Sequence, residues 1–251
     1  MKRFFLVILL TLQTILAGAQ TDTEQRQSNL LSDFNTVDLV ALLQVAQCTI
    51  VDTIGSYTSQ KIDATIIRCY KGCPAGKNIT YYGFVETHRQ WLRPGGVQGV
   101  FLVGGEKNGR LTYGWLENSG FSEEDSAFIH QLTDTDTLYD KLAANMETYE
   151  EKPLWVKAKL QSLSAYVPDE SRTTTIVVTG AIKAPGLAPG KSYRISINNP
   201  TYESLHFRSK LQTGTTYYFP LFLDEKKHYY SHTELILPRL SPSTIRKLQR
   251  R

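Results

Sequence analysis

Apolar and polar positions along this chain sort into two β-rich blocks separated by a helical stretch. In the first block, Cys48–Ile54 and Ile62–Tyr70 alternate like strands and are joined by a Gly-Ser-Tyr-Thr-Ser turn. Ile79–Val85, Val97–Val103 and Leu111–Leu116 predict three more strands, the last entered through the Lys107-Asn108-Gly109 turn, a strong hairpin signal. Ahead of them, Val37, Val40, Ala41 and Val45 recur at helical spacing and predict a helix over Thr36–Gln47, with Asn35 or Thr36 as its cap. Residues 20–35 are polar and predict a flexible start. Ser122 heads a capping box, Ser-Glu-Glu-Asp, and predicts a closing helix.

The texture then changes. Leu138, Leu142, Met146 and Tyr149 lie at helical spacing, Pro153 interrupts them, and Trp155 to Leu163 predicts a second helix. The second β-rich block follows. Thr174–Ile182 and Tyr193–Ile197 predict strands flanking an Ala-Pro-Gly-Leu-Ala-Pro-Gly turn, and Thr215–Leu223 and Ser231–Leu237 predict two more. Ser241 then caps a last helix, with Pro242 in its first turn.

The two blocks resemble copies. At a constant offset, Leu92 falls on Leu211, Gly95 on Gly214, Leu102 on Leu221, Glu106-Lys107 on Glu225-Lys226, Ser122 on Ser241 and Ile129 on Leu248. With shifts of several residues, Thr-Ile-Val-Asp-Thr at 49–53 matches Thr-Ile-Val-Val-Thr at 175–179, and Ile62, Ala64 and Ile66 match Tyr193, Ile195 and Ile197. Five short strands closed by a helix suit an open barrel of the OB type. The expected fold is mainly β with helices (α+β): two OB-like β-barrel copies joined by a helical connector. Residues 36–132 form the first domain with its closing helix, 133–168 the connector, and 169–251 the second domain with its C-terminal helix.

The leader changes where such a protein would work. Lys2 and Arg3 precede an uncharged run from Phe4 to Leu16 and then Ala17-Gly18-Ala19, the pattern of a signal peptide over residues 1–19 cut near Ala19. The run is short for a membrane span, which needs about 20 residues, and no second one follows, so no membrane span is expected after cleavage. The expected location is secreted or periplasmic. The whole chain has 28 Lys+Arg and 24 Asp+Glu, or +4. Removing Lys2 and Arg3 leaves 26 bases against 24 acids, or +2. With only Arg246, Lys247, Arg250 and Arg251 clustered, no nucleic-acid partner is expected.

Of the three cysteines, Cys48 and Cys69 fall on adjacent predicted strands, and Cys69 and Cys73 flank the Tyr-Lys-Gly turn. An exported chain favours one disulfide, Cys69 with Cys48 or Cys73.

The order of elements from Val45–Ile54 through Ile62–Tyr70, Asn78–Tyr82 and Gly99-Val-Phe-Leu-Val103 resembles the netrin-like module shared with tissue inhibitors of metalloproteinases. The resemblance spans residues 43 to 103 and implies an OB-type barrel. In the inhibitors an N-terminal cysteine chelates the protease zinc through its amine and carbonyl. Cys48 lies inside the chain, so that chemistry does not carry over.

His228 and His232 sit in a strand-like context, where residues four apart are about 13 Å apart, too far to share a metal. Pro189-Gly190-Lys191-Ser192 lacks the first glycine of a phosphate loop and precedes a strand. No metal or cofactor is expected. The aromatics carry the remaining signal, with Tyr82, Trp91, Trp115, Tyr218 and Tyr230 as candidate binding platforms. The expectation is an exported non-enzymatic protein that recognises a protein, peptide or glycan surface. The alternatives are a hydrolase of unrecognised type, using His88, Glu86 and a serine or His206 with Glu203, and a netrin-like inhibitor acting through Thr87–Pro94.

Overall fold

The structure, a computed structural model, describes residues 22–55, 57–86, 93–107, 110–115, 119–167, 170–199 and 210–250. Helix α1 covers 22–36. Strands β1 (Leu39–Ile54), β2 (Tyr57–Lys71), β3 (Asn78–Glu86), β4 (Val97–Lys107) and β5 (Arg110–Trp115) follow. A 3-10 turn at Glu123–Asp125 leads into α2 (Ser126–Gln131), and α3 (Thr135–Met146) comes next. The second set is β6 (Leu154–Leu163), β7 (Ser171–Lys183), β8 (Ser192–Asn198), β9 (Thr216–Leu223) and β10 (Tyr229–His232), then a 3-10 turn at Thr233–Leu235 and α4 (Pro242–Gln249).

Each set of five strands closes into a barrel of the same topology. The first runs β1-β2-β3-β5-β4 and the second β6-β7-β8-β10-β9, so both follow the order first, second, third, fifth, fourth. In each, the third and fifth strands pair in parallel and every other pairing is antiparallel. These are two OB-like barrels. The turn glycines match too. Gly95 and Gly214 have φ of 84° and 88°. Each donates its N–H at 2.7 Å to the first strand of its barrel, at Val45 and Leu160 respectively. Leu102 and Leu221 lie inside their barrels, and Ser122 and Ser241 cap their helices.

Three sequence expectations change. Residues 22–35 are helical, because Leu30, Leu31 and Phe34 form a buried stripe and the polar residues face water. Arg26 fixes this helix to Asp125 through bonds of 2.6 and 2.9 Å. The predicted helices at Thr36–Gln47 and Trp155–Leu163 are strands. β1 is dry on both sides over Leu39–Leu43 and β6 at Trp155–Val156, which hides the alternation there, whereas Val156-Lys-Ala-Lys-Leu160 alternates as a half-buried strand does. Since β6 is the first strand of the second barrel, the sequence matches of 49–53 with 175–179 and of 62–66 with 193–197 are one strand out of step.

The two-sided burial builds three cores. Leu39, Ala41, Leu43 and Val45 point into the first barrel, and Val156, Ala158 and Leu160 into the second. From the other faces of the first and fourth strands, Val40, Leu42, Phe101, Trp155 and Tyr218 enter a third core with Phe34, Leu142, Met146 and Leu248 from the helices. Each such side chain contributes about 1.5–3 kcal/mol on burial. Trp155 is fully buried and donates to Glu147, which also pairs with Lys183 at 2.8 Å. Satisfying Glu147 twice makes its burial tolerable.

Cys69 and Cys73 form the disulfide and close a loop around Lys71 and Gly72, while Cys48 is free on β1, opposite Ile62. Lys71 Nζ donates to the carbonyls of Phe34 and Asn35 at 2.8 and 3.3 Å, capping the end of α1. Asn35 Nδ2 and Lys210 Nζ both donate to the Glu234 carbonyl, tying α1 to the second barrel.

Gly72 has φ of 64°, and a Cβ there would lie 1.9 Å from the Asp38 carbonyl oxygen. Gly72→Ala should lower the unfolding free energy by about 2–4 kcal/mol in urea titration. Burial also depresses Lys71 to about 8 and Lys210 to about 7. The unfolded chain therefore holds more protons than the folded one from about pH 7 to 10, so stability rises with pH across that window. Melting temperatures should climb from pH 7 to 9, and Lys210→Met should flatten the climb.

Candidate functional site

The shared core covers the first and fourth strands of each barrel. The outer faces of β3, β5, β8 and β10, and most of those of β2 and β7, are left to solvent, while Tyr70 of β2 and Ile182 of β7 join the shared core. In the second barrel this face carries a cleft of about 1070 Å³. Alternation on β8 turns Ile195 and Ile197 inward and brings Arg194, Ser196 and Asn198 to the outer side. Ser171 and Thr173 add to it from β7, and Tyr230 and His232 from β10.

An aromatic cluster forms one wall. Phe222 and Tyr230 are cross-strand partners with ring centroids 5.6 Å apart, and His232 stands edge-on to both at 6.2 and 5.6 Å. Phe222 is buried beneath the half-exposed Tyr230 and fixes its ring. Opposite, Ser171 donates to Asn198 at 2.6 Å.

The loop after β9 forms the rim. Asp224 accepts from the His228 backbone N–H at 2.7 Å and stands 3.3 Å from its imidazole. The backbone bond is the main cause holding its carboxyl below the usual range. Lys227 makes the turn with φ of 62°. The lining carries Glu151, Asp224 and Glu225 against Arg194 and Lys227, and mixes polar with apolar surface at close to neutral charge.

The first barrel presents a related face. Tyr82 and Phe84 are 42% and 52% exposed on β3, and Lys61 lies opposite Tyr82. Thr80 donates to Asp63 at 2.5 Å on the same face. Tyr82 is paired in register with Gly114, and Ser196 with Tyr230. Each barrel thus sets one tyrosine beside a small residue at its parallel strand pair, projected from opposite members of that pair.

Of the five aromatics expected as platforms, Tyr230 lines the cleft and Tyr82 stands on the face of the first barrel. Trp115 points into the first barrel and donates to the Ser119 carbonyl at 2.8 Å. Tyr218 is buried in the shared core under Lys157. Alternation on their strands directs both to a core, leaving Tyr218 buried and Trp115 half-buried. Trp91 lies outside the described residues, as do His88, His206, Glu203, Leu92 and most of the Thr87–Pro94 segment. Arg194, Asn198, Phe222 and Asp224 are the residues that sequence reasoning missed. The two-residue period of Tyr193–Asn198 was the available signal for the first two. His228 and His232 lie apart in loop and strand, and among the described residues no group of three or more His, Cys, Asp or Glu could hold a metal.

No known family profile matches the chain, and no curated protein matches it. Among solved structures it is similar to one described as "Structure and Conformational Change of a Replication Protein A Heterotrimer Bound to ssDNA", at 11% identity and a TM-score of 0.27. The match covers 82% of this chain and 50% of that one. Among the described residues no helix is long and apolar enough to cross a membrane.

Lys227 occupies a left-handed conformation that costs a side-chain-bearing residue about 1 kcal/mol. Lys227→Gly should therefore raise the unfolding free energy by about 0.5 kcal/mol in chemical denaturation, after the entropic cost of glycine is subtracted.

Proposed function

We propose that this protein is an exported binding module that holds a glycan across β7, β8 and β10. The observation that carries the reading is the cleft on that face, where a tyrosine backed by Phe222 stands beside a guanidinium, an amide and carboxylates. An aromatic ring packs against the C–H face of a sugar, and the polar groups accept and donate to its hydroxyls. In OB folds the second and third strands and the loop between the fourth and fifth are the customary ligand surface. Here those are β7, β8 and residues 224–228. Three carboxylates against two cations on the lining disfavour a polyphosphate chain. The Cys69–Cys73 disulfide supports an oxidising compartment, in line with the leader over residues 1–19. The netrin-like resemblance enters through the barrel alone, since Cys48 sits inside β1.

Calorimetric titration against a panel of neutral and acidic oligosaccharides, with a single-stranded oligonucleotide and an unstructured peptide as further arms, tests this. An oligosaccharide should bind, and Tyr230→Ala and Asn198→Ala should each weaken it at least tenfold, while Tyr218→Phe leaves it unchanged. Binding of the oligonucleotide or peptide alone, or sugar binding indifferent to Tyr230→Ala, would overturn the reading.

A further inference from the structure

One end of the second barrel holds a buried cation with no carboxylate partner among the described residues. Arg172 lies on the inward-facing set of β7 and is 3% exposed. Its Nη2 donates to Thr233 Oγ1 at 3.1 Å, and the guanidinium lies 5.2 Å from the centre of the Tyr166 ring. Thr233 Oγ1 donates to Asn199 Oδ1 at 3.0 Å, and Asn199 Nδ2 donates to the Val167 carbonyl at 2.6 Å. Each link in this buried chain donates onward, so it ends on a backbone carbonyl and offers the guanidinium no further acceptor.

Arg172 Nε is buried and has no hydrogen-bond partner. Among the described residues no Asp or Glu pairs with the guanidinium, and Glu170, two residues earlier, is exposed. Burial pushes the Arg172 pKa down, and the Tyr166 phenol beside it is the remaining electrostatic contact. A buried guanidinium is ordinarily paired with an acid, because an unpaired one is among the costliest groups to hold in an interior. Nothing in the barrel core requires a charge at this position. Leucine or methionine would pack beside Ile197, the cross-strand partner of this position, at lower cost.

We propose that the Arg172 end of the second barrel is a binding site for a small oxyanion group, a carboxylate or phosphate, with Arg172 as its ligand and Thr233, Asn199 and Tyr166 holding the guanidinium in place. Nε–H together with a terminal N–H gives the planar fork that matches two oxygens of such a group. The site is separate from the outer cleft: Ser171 and Thr173, the neighbours of Arg172, face that cleft, whereas Arg172 faces the barrel interior.

The test is thermal unfolding at pH 7 and constant ionic strength in chloride, inorganic phosphate or acetate, with wild type, Arg172→Met and Arg172→Lys. Phosphate or acetate should raise the wild-type midpoint by about 5 °C at a hundredfold excess over its dissociation constant. The arm that responds identifies the group. Arg172→Met should show no anion response and should be at least as stable as wild type in chloride. Arg172→Lys should respond at least fivefold less than wild type. Should the variants fail to fold, the wild-type Arg172 Nε–H resonance in 15N spectra decides: a saturable shift with phosphate or acetate supports the site. Equal midpoints in all three salts, an equal response in Arg172→Met, or an unmoved Nε–H resonance would overturn it.

Discussion

The first strand of each barrel begins with residues buried on both faces, Leu39–Leu43 in β1 and Trp155–Val156 in β6, and most of the architecture follows from that constraint. Leu39, Ala41 and Leu43 fill the first barrel while Val40 and Leu42 leave it on the other side. Val156 and Ala158 fill the second while Trp155 leaves it. A strand that is apolar on both faces needs cover on its outside, and α1, α2, α3 and α4 supply it. They do so for both barrels at once, in one core containing Phe101 and Val40 from one and Tyr218 and Trp155 from the other. The connecting helices are therefore the shared roof of two sheets, and α1 belongs to that roof through Leu30, Leu31 and Phe34.

The same constraint decides which surfaces can meet a ligand. Covering the first and fourth strands and the ends of the second leaves the third, the fifth and most of the second in water, and in both copies that face carries a tyrosine next to a small residue. The copies then diverge. On the second barrel the tyrosine is backed by Phe222 and surrounded by hydrogen-bonding groups, and the surface is concave. On the first, Tyr82 and Phe84 stand out from the strand with Lys61 beside them. The second barrel also holds Arg172 at its end, where the corresponding inward residues of β2 are Thr58, Ile62 and Ala64.

Much of this was legible in the sequence, and the misreadings share one cause. Strands with one wet face, such as Asn78–Glu86 and Ser192–Asn198, showed their alternation and were found. So were the turn glycines Gly95 and Gly214 and the caps Ser122 and Ser241, which act through local backbone chemistry. β1 and β6 read as helices because their opening residues, Leu39-Val-Ala-Leu-Leu43 and Leu154-Trp-Val156, carry no alternation where both faces are dry, although Val156-Lys-Ala-Lys-Leu160 alternates beyond them. Losing β6 shifted the apparent repeat by one strand. Among the candidate aromatics, composition located the rings, but only the strand phase separates Tyr81 from Tyr82 and sends Trp115 and Tyr218 inward. The Cys69–Cys73 pairing remained one of two choices until the turn at Gly72 was seen to fold back on Asp38. Arg172 gave no signal, since a single arginine in a strand reads as an exposed residue.

The central claim is that the two barrels are one cooperative unit because they share the third core. Native-state hydrogen exchange measures this most directly, by comparing the amides of Leu43 in β1 and Ala158 in β6 at increasing denaturant. The shared core predicts that both protons exchange through a single global opening with the same free energy and the same denaturant dependence. Opening of one barrel several kcal/mol below the other, with a correspondingly smaller denaturant dependence, would contradict it.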